Sequence, residues 1–223
     1  MIIFDLDDTL IDTSGCFTPI KLRCVLKSMI FNGLIVKSEE EALKYLVELN
    51  KISINADEAI RTFLERFDAV EYLDIGIKEY YKDYNSDFDI DVLDNALEVL
   101  QQLKEKKHLL ALVSYGNEEL QMRKIKKSGL NLDIFNKVFI TDKHNKEFFY
   151  ESLARFFNFN FDGVVVCGDK FKTDILPAKK LGMKTIKMQW GRSLANPAKE
   201  DGADYSIKNL KEILNIVDVL NKK

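Results

Sequence analysis

Cysteine is scarce and unpatterned in this chain. Cys16, Cys24 and Cys167 are the three cysteines among 223 residues; an odd number without paired spacing excludes a disulfide scaffold and suits a reducing compartment, so a cytoplasmic location is expected. The two histidines, His108 and His144, stand at no ligand spacing to those cysteines, which leaves no tetrahedral zinc site to propose. Three prolines and ten glycines leave no room for a Pro-rich linker or a low-complexity tract. Apolar runs are short: none approaches the roughly 20 residues a bilayer-spanning helix needs. No leader is visible ahead of the first apolar run, so no membrane partner is expected. Lysine and arginine (33) do not exceed aspartate and glutamate (36), and the net charge of -3 gives no basic excess for nucleic acid. What remains, 46% hydrophobic and 31% charged, suits an ordered chain with one substantial core or a core plus a small insert.

Carboxylates are placed with more purpose. Asp5 and Asp7 close the apolar run Met1-Ile-Ile-Phe4. Such a run reads as a buried strand, and its carboxyl end is where open α/β sheets keep their ligand crevices. Carboxylates crowded there repel one another, so a cluster implies a bound cation or a shared proton. A second run, Val164 to Cys167, repeats the design with Gly168-Asp169 and, five residues on, Asp174, where an N-cap for a helix over 175–181 is also expected. A third run, 109–113, ends in Ser114-Tyr115-Gly116-Asn117, ahead of a helical pattern (Leu120, Lys124, Ile125) that stops at Gly129. A hydroxyl and backbone N–H groups at a helix start suit an anion such as phosphate, and the same residues suit a simple cap.

The pattern is helical from about residue 18 to about 84, with capping spacings at Ser38/Glu41 and Asn55/Glu58 and an apolar stripe Ile60, Phe63, Leu64, Phe67. From Val92 helices and strands alternate: a helix with Leu93, Leu97, Leu100 and Leu103 inward, then strands at 109–113, 138–140, 164–167 and 184–188 with helices between, and a last helix over 210–220. Alternation of this kind implies right-handed crossovers and a Rossmann-like α/β fold, a mainly parallel sheet flanked by helices. The organisation expected is a core of residues 1–13 and 85–223 with a helical insert over 14–84.

These segments resemble the four motifs of the haloacid dehalogenase superfamily, mostly magnesium-dependent phosphatases. Asp5-x-Asp7-x-Thr9 is similar to the first motif, Ser114 to the second, and Gly168-Asp169 with Asp174 to the fourth. The third is a lysine before a helix, and Lys143 and Lys146 compete for it. Lys143 is favoured, because it follows the run 138–140 directly while Lys146 falls on the next helix's first turn. The resemblance implies a catalytic set of Asp5, Asp7 and Lys143: Asp5 attacks phosphorus, Asp7 serves as acid and then base, and Lys143 neutralises charge. It implies phosphate contacts from Ser114, Tyr115, Gly116 and Asn117, and Mg²⁺ held by Asp5, Asp7, Asp169 and Asp174 with the Leu6 carbonyl. The helical insert looks like the family's small α-helical cap domain, which closes over the crevice. The implied partner is a small phosphorylated substrate, on a monomer or homodimer. A sugar-phosphate mutase, a phospho-accepting domain and a non-catalytic binding member stay open as alternatives, whereas the acid at Asp7 argues against dehalogenation.

Overall fold

The structure, a computed structural model, describes residues 1–53, 55–82, 88–142, 146–195 and 202–220. Four helices follow the first strand: α1 (Thr18–Phe31), α2 (Glu39–Ile52), α3 (Ala56–Arg66) and α4 (Leu73–Tyr81). Their starts obey local chemistry, since Ser38 Oγ accepts from the Glu41 amide at 3.3 Å and Asn55 Oδ1 from the Glu58 amide at 2.9 Å. Apolar residues at helical spacing then meet in a core of their own, with Leu22, Leu26 and Met29 of α1, Leu46 of α2, Ile60 and Phe63 of α3, and Leu73 of α4.

The rest alternates. Helices α5 (Ala96–Glu105), α6 (Glu118–Ser128), α7 (Glu147–Phe156), α8 (Leu176–Lys180), α9 (Gly191–Ala195) and α10 (Glu212–Leu220) follow in chain order. The strands are β1 (Ile2–Phe4), β2 (Leu110–Tyr115), β3 (Lys137–Thr141), β4 (Val165–Gly168), β5 (Lys184–Met188) and β6 (Tyr205–Ile207). All neighbours pair parallel in the order β3-β2-β1-β4-β5-β6, so helices cross both faces of the sheet. Period-two alternation divides each central strand between two cores. Ile2, Phe4, Leu110, Leu112 and Cys167 face one, with Leu100, Ile125 and Ile213 of the helices; Ile3, Ala111, Val113 and Val166 face the other, with Tyr150, Leu153 and Ala178. Strand order reverses at β1 and β4, whose partners Phe4 and Cys167 lie side by side. That reversal opens a crevice beyond their carboxyl ends, where Asp5 and Asp169 emerge.

Three local expectations change. The helix expected from 92 begins at Ala96 after Asn95 adopts a left-handed φ of 67°, and Leu97 faces solvent at 45% exposure while Val99 takes an inward place. The last helix begins at Glu212 rather than 210, and Tyr205–Ile207, too short to read as a strand from sequence, adds itself to the sheet edge beside β5. Asp174 caps nothing, for it lies inside a π-helical turn, Phe171–Ile175, that leads into α8. No helix among the described residues is long and apolar enough to cross a membrane.

Candidate active site

Three carboxylates converge beyond β1 and β4. One oxygen each from Asp5, Asp169 and Asp174 lies within 4.8 Å of the others, and all three residues are buried. Local geometry produces the cluster. The Asp5 amide donates to the Cys167 carbonyl at 2.9 Å, which holds the ends of β1 and β4 level. Gly168 lets Asp174 fold back against the strand, because a Cβ on residue 168 would stand 2.4 Å from that of Asp174. Asp174 Oδ2 accepts from the Lys170 amide at 2.9 Å, so the π-helical turn aims its other oxygen inward.

Lys146 joins them. Its Nζ donates to Asp5 Oδ1 and to Asp174 Oδ1, each at 2.6 Å, and the residue is 1% exposed. Burial opposes its charge, but Asp174 and Asp5 outweigh that and raise the ammonium well above its ordinary value. Asp5 is pushed up to about 6 by burial, with Lys146 pulling it down and Asp174 pushing it further. Burial likewise drives Asp169 far up, against Lys170 and in step with Asp174, Asp8 and Asp5. Asp169 Oδ1 is buried with no hydrogen-bond partner. A crowded carboxylate set with an orphaned oxygen fits a hard, oxygen-seeking divalent cation, and Asp5, Asp169 and Asp174 could hold one.

Asp7 sits apart from this cluster. Thr13 Oγ1 and Lys124 Nζ (2.8 Å) donate to its Oδ1, and Gln121 Nε2 (2.7 Å) to its Oδ2. Burial alone would raise its carboxyl, yet Lys124, by charge and hydrogen bond, with Thr13 and Gln121 holds it well below the ordinary range. With both oxygens engaged, the Asp7 side chain is not grouped with the other acids as the sequence led one to expect. The Leu6 carbonyl is likewise occupied, accepting the Leu10 and Ile11 amides at 2.9 and 3.1 Å, and drops out of the ligand set.

Of the four phosphate-contact candidates, Ser114 is buried at the end of β2 and its Oγ accepts from Gln121 Nε2 at 2.6 Å. Asn117 is a helix cap, its Oδ1 accepting the Leu120 amide at 2.9 Å, and the Gly116 amide is bound to the Thr141 carbonyl at 2.9 Å. Tyr115, the last residue of β2, is 37% exposed. Lys143 lies outside the described residues. Nothing in the local sequence marks Gln121 or Lys124 for chemistry beyond their place three residues apart after Ser114, one polar and one basic on an otherwise amphipathic helix.

The insert helices reach the same crevice. Tyr80 of α4 hydrogen-bonds with Thr18, and burial raises its phenol while Arg192 and Lys170 pull it down and Asp7 pushes it up. Arg192 of α9 donates through Nε to the Asn50 carbonyl at 2.9 Å and through Nη2 to the Asn50 side chain. Trp190 Nε1 donates to Asp12 Oδ1 at 2.8 Å beside the entry to α1.

The chain is similar to known proteins over nearly its whole length. The family model of haloacid dehalogenase-like hydrolases matches residues 2–188. A glyceraldehyde 3-phosphate phosphatase of Methanocaldococcus jannaschii is 29% identical, covering 99% of this chain and 98% of its own. Another of that name, from Methanothermobacter thermautotrophicus, is 30% identical, covering 96% and 98%. Among solved structures, a HAD phosphatase of Thermococcus onnurineus superposes with a TM-score of 0.60 at 22% identity, covering 97% of this chain and 96% of that one. The HAD-hydrolase YfnB of Bacillus subtilis, solved bound to magnesium, superposes with a TM-score of 0.59 at 18% identity over 97% of each chain. With the matching model spanning the strands that carry Asp5, Ser114 and Asp169, this chain belongs to the haloacid dehalogenase-like hydrolase family of enzymes.

Proposed function

We propose that this chain is a Mg²⁺-dependent phosphatase of a small phosphorylated metabolite that works through an aspartyl phosphate on Asp5. The observation that carries the reading is the buried group of Asp5, Asp169 and Asp174 with an unpartnered Asp169 oxygen and one lysine between two of the acids. A cation bound there would supply positive charge to phosphate oxygens and screen the nucleophile.

The chain's own residues do the rest. A carboxylate oxygen of Asp5 forms the bond to phosphorus as the ester P–O bond breaks, and the leaving oxygen takes its proton from solvent, because Lys124, Thr13 and Gln121 hold Asp7 as an ionised acceptor. Water then forms the new P–O bond, the aspartyl P–O bond breaks, and the water's proton passes to Asp7. The sum is ester plus water to alcohol plus phosphate. Ser114 holds a phosphoryl oxygen. Lys146, rather than Lys143, is the lysine that faces accumulating negative charge, since it already spans Asp5 and Asp174. Residues 14–84 act as the cap domain, with Tyr80 and the Arg192–Asn50 contact at the boundary where substrate enters. The relatives named for glyceraldehyde 3-phosphate make a triose phosphate the first natural substrate to try. A cytoplasmic location suits the three free cysteines.

The test is phosphate release from an aryl phosphate and from glyceraldehyde 3-phosphate, with Mg²⁺, with EDTA, and with Asp5→Asn. Metal-dependent release that disappears in Asp5→Asn is the expected result. Release that survives EDTA or the Asp5 change would overturn the reading.

A further inference from the structure

We infer that Gln121 and Lys124, on one face of α6, are positioning residues that hold Asp7 for its part in turnover; the inference rests on the function proposed above. Both are buried, and three residues apart they stack on the same side of the helix. Lys124 Nζ meets Asp7 Oδ1 at 2.8 Å and Gln121 Nε2 meets Oδ2 at 2.7 Å, so one helix face grips both oxygens of one carboxylate. Two fixed donors on a planar group leave it little freedom to rotate, which a single contact would not achieve.

Chemistry dictates which way the Gln121 amide points. A carboxylate only accepts, so the NH₂ end must face Asp7; a flipped amide would set oxygen against oxygen. That NH₂ also donates to Ser114 Oγ at 2.6 Å. A serine hydroxyl that accepts there keeps its own proton to give, which is what a residue bound to a phosphoryl oxygen must do. Gln121 thus ties the residue proposed to bind phosphate to the residue proposed to move protons, across 114 positions of sequence in the second case. The backbone makes room for it. Gly116, at φ 152°, would with a Cβ meet the Gln121 side chain at 3.2 Å, so residue 116 is left bare where Gln121 folds back over the turn. Lys124 is steadied from the other side, its Nζ 5.1 Å from the Phe17 ring centroid at the start of the insert. The grip on Asp7 therefore includes a residue next to the cap helices.

The test uses the full chain with Mg²⁺ and an aryl phosphate. Variants are Lys124→Met, Gln121→Met and Lys124→Arg, read by kcat, KM and the fraction of enzyme trapped as acid-stable or quench-trapped phosphoenzyme. An aryl leaving group needs little protonation, so loss of a well-placed Asp7 is felt in the water step and phosphoenzyme should build up. For either Met variant, kcat is expected to fall about 10- to 100-fold and KM to fall with it, leaving kcat/KM within about threefold of the parent, because the slowed step follows phosphoryl transfer. Lys124→Arg, which keeps the charge, is expected to recover most of the loss. Unchanged kcat, or a fall without phosphoenzyme build-up or without recovery by arginine, would overturn the inference. If Lys124→Met does not fold, Gln121→Met and Lys124→Arg decide it by the same readouts. A parent without Mg²⁺-dependent release would instead bring down the proposed function; an active parent, an inactive Asp5→Asn and indifferent Lys124 and Gln121 variants would remove this inference alone.

Discussion

Replacing Lys146 with methionine probes the centre of the site. The lysine is 1% exposed and its Nζ lies 2.6 Å from both Asp5 Oδ1 and Asp174 Oδ1, so Lys146→Met keeps the stem's volume and deletes the charge between two buried acids. Leaving a buried charge without its partner costs about 3–5 kcal/mol. At about 2–4 °C per kcal/mol for a chain of this size, the metal-free variant should melt roughly 6–20 °C below the parent. Mg²⁺ should recover part of that loss, because a cation among the same carboxylates replaces some of the missing positive charge. Activity should not recover. A fixed donor facing charge that develops in the transition state is worth about 10²- to 10³-fold in kcat. The assays are melting in EDTA and in Mg²⁺, and aryl phosphate hydrolysis, with Lys143→Met in parallel expected to stay within about threefold of the parent. A Lys146 variant that turns over normally, or a Lys143 variant that does not, would refute the reasoning and return the role to the lysine favoured from sequence.

Burial already pushes the Asp169 carboxyl far up, so Asp169→Asn exchanges a group that favours its neutral form for a neutral amide. The variant should melt no lower than the parent in EDTA yet lose the melting gain that Mg²⁺ gives the parent, and a retained gain would take Asp169 out of the metal set. Asp5, pushed up to about 6, holds a proton more tightly folded than unfolded. Its contribution to metal-free stability is thus complete below about pH 4 and lost as pH rises through about 6. Because Mg²⁺ displaces that proton, the Mg²⁺-induced melting shift should grow from about pH 5 to about pH 7.5, and a shift flat in pH would contradict this. Gly168→Ala places a Cβ 2.4 Å from the Cβ of Asp174 and should weaken both Mg²⁺ binding and hydrolysis, which titration calorimetry and the aryl phosphate assay would read.

Much of the site was legible because its signals are local. An apolar run ending in aspartate marks a strand end within a few residues, as at Phe4-Asp5 and Cys167-Gly168-Asp169, and the caps at Ser38 and Asn55 depend on amides three residues away. The alternation of runs sufficed for a parallel α/β sheet. Whether a polar residue is buried is another matter, for that is decided by what meets it from elsewhere in the chain. Lys146, at the start of a helix, has the local pattern of a solvated lysine, and only Asp5, 141 residues away, and Asp174 make its burial tolerable. Gln121 and Lys124 read as the polar face of an amphipathic helix until the sheet carries Asp7 against them. Leu97 fails in the opposite sense, apolar at helical spacing yet turned outward because Asn95 delays the helix start. Sequence by itself determined five of the six strands and the acids at the ends of two of them, since these follow from propensity and spacing. The tertiary structure alone decided which cations those acids keep, because compensating a buried charge takes a partner that local sequence does not contain.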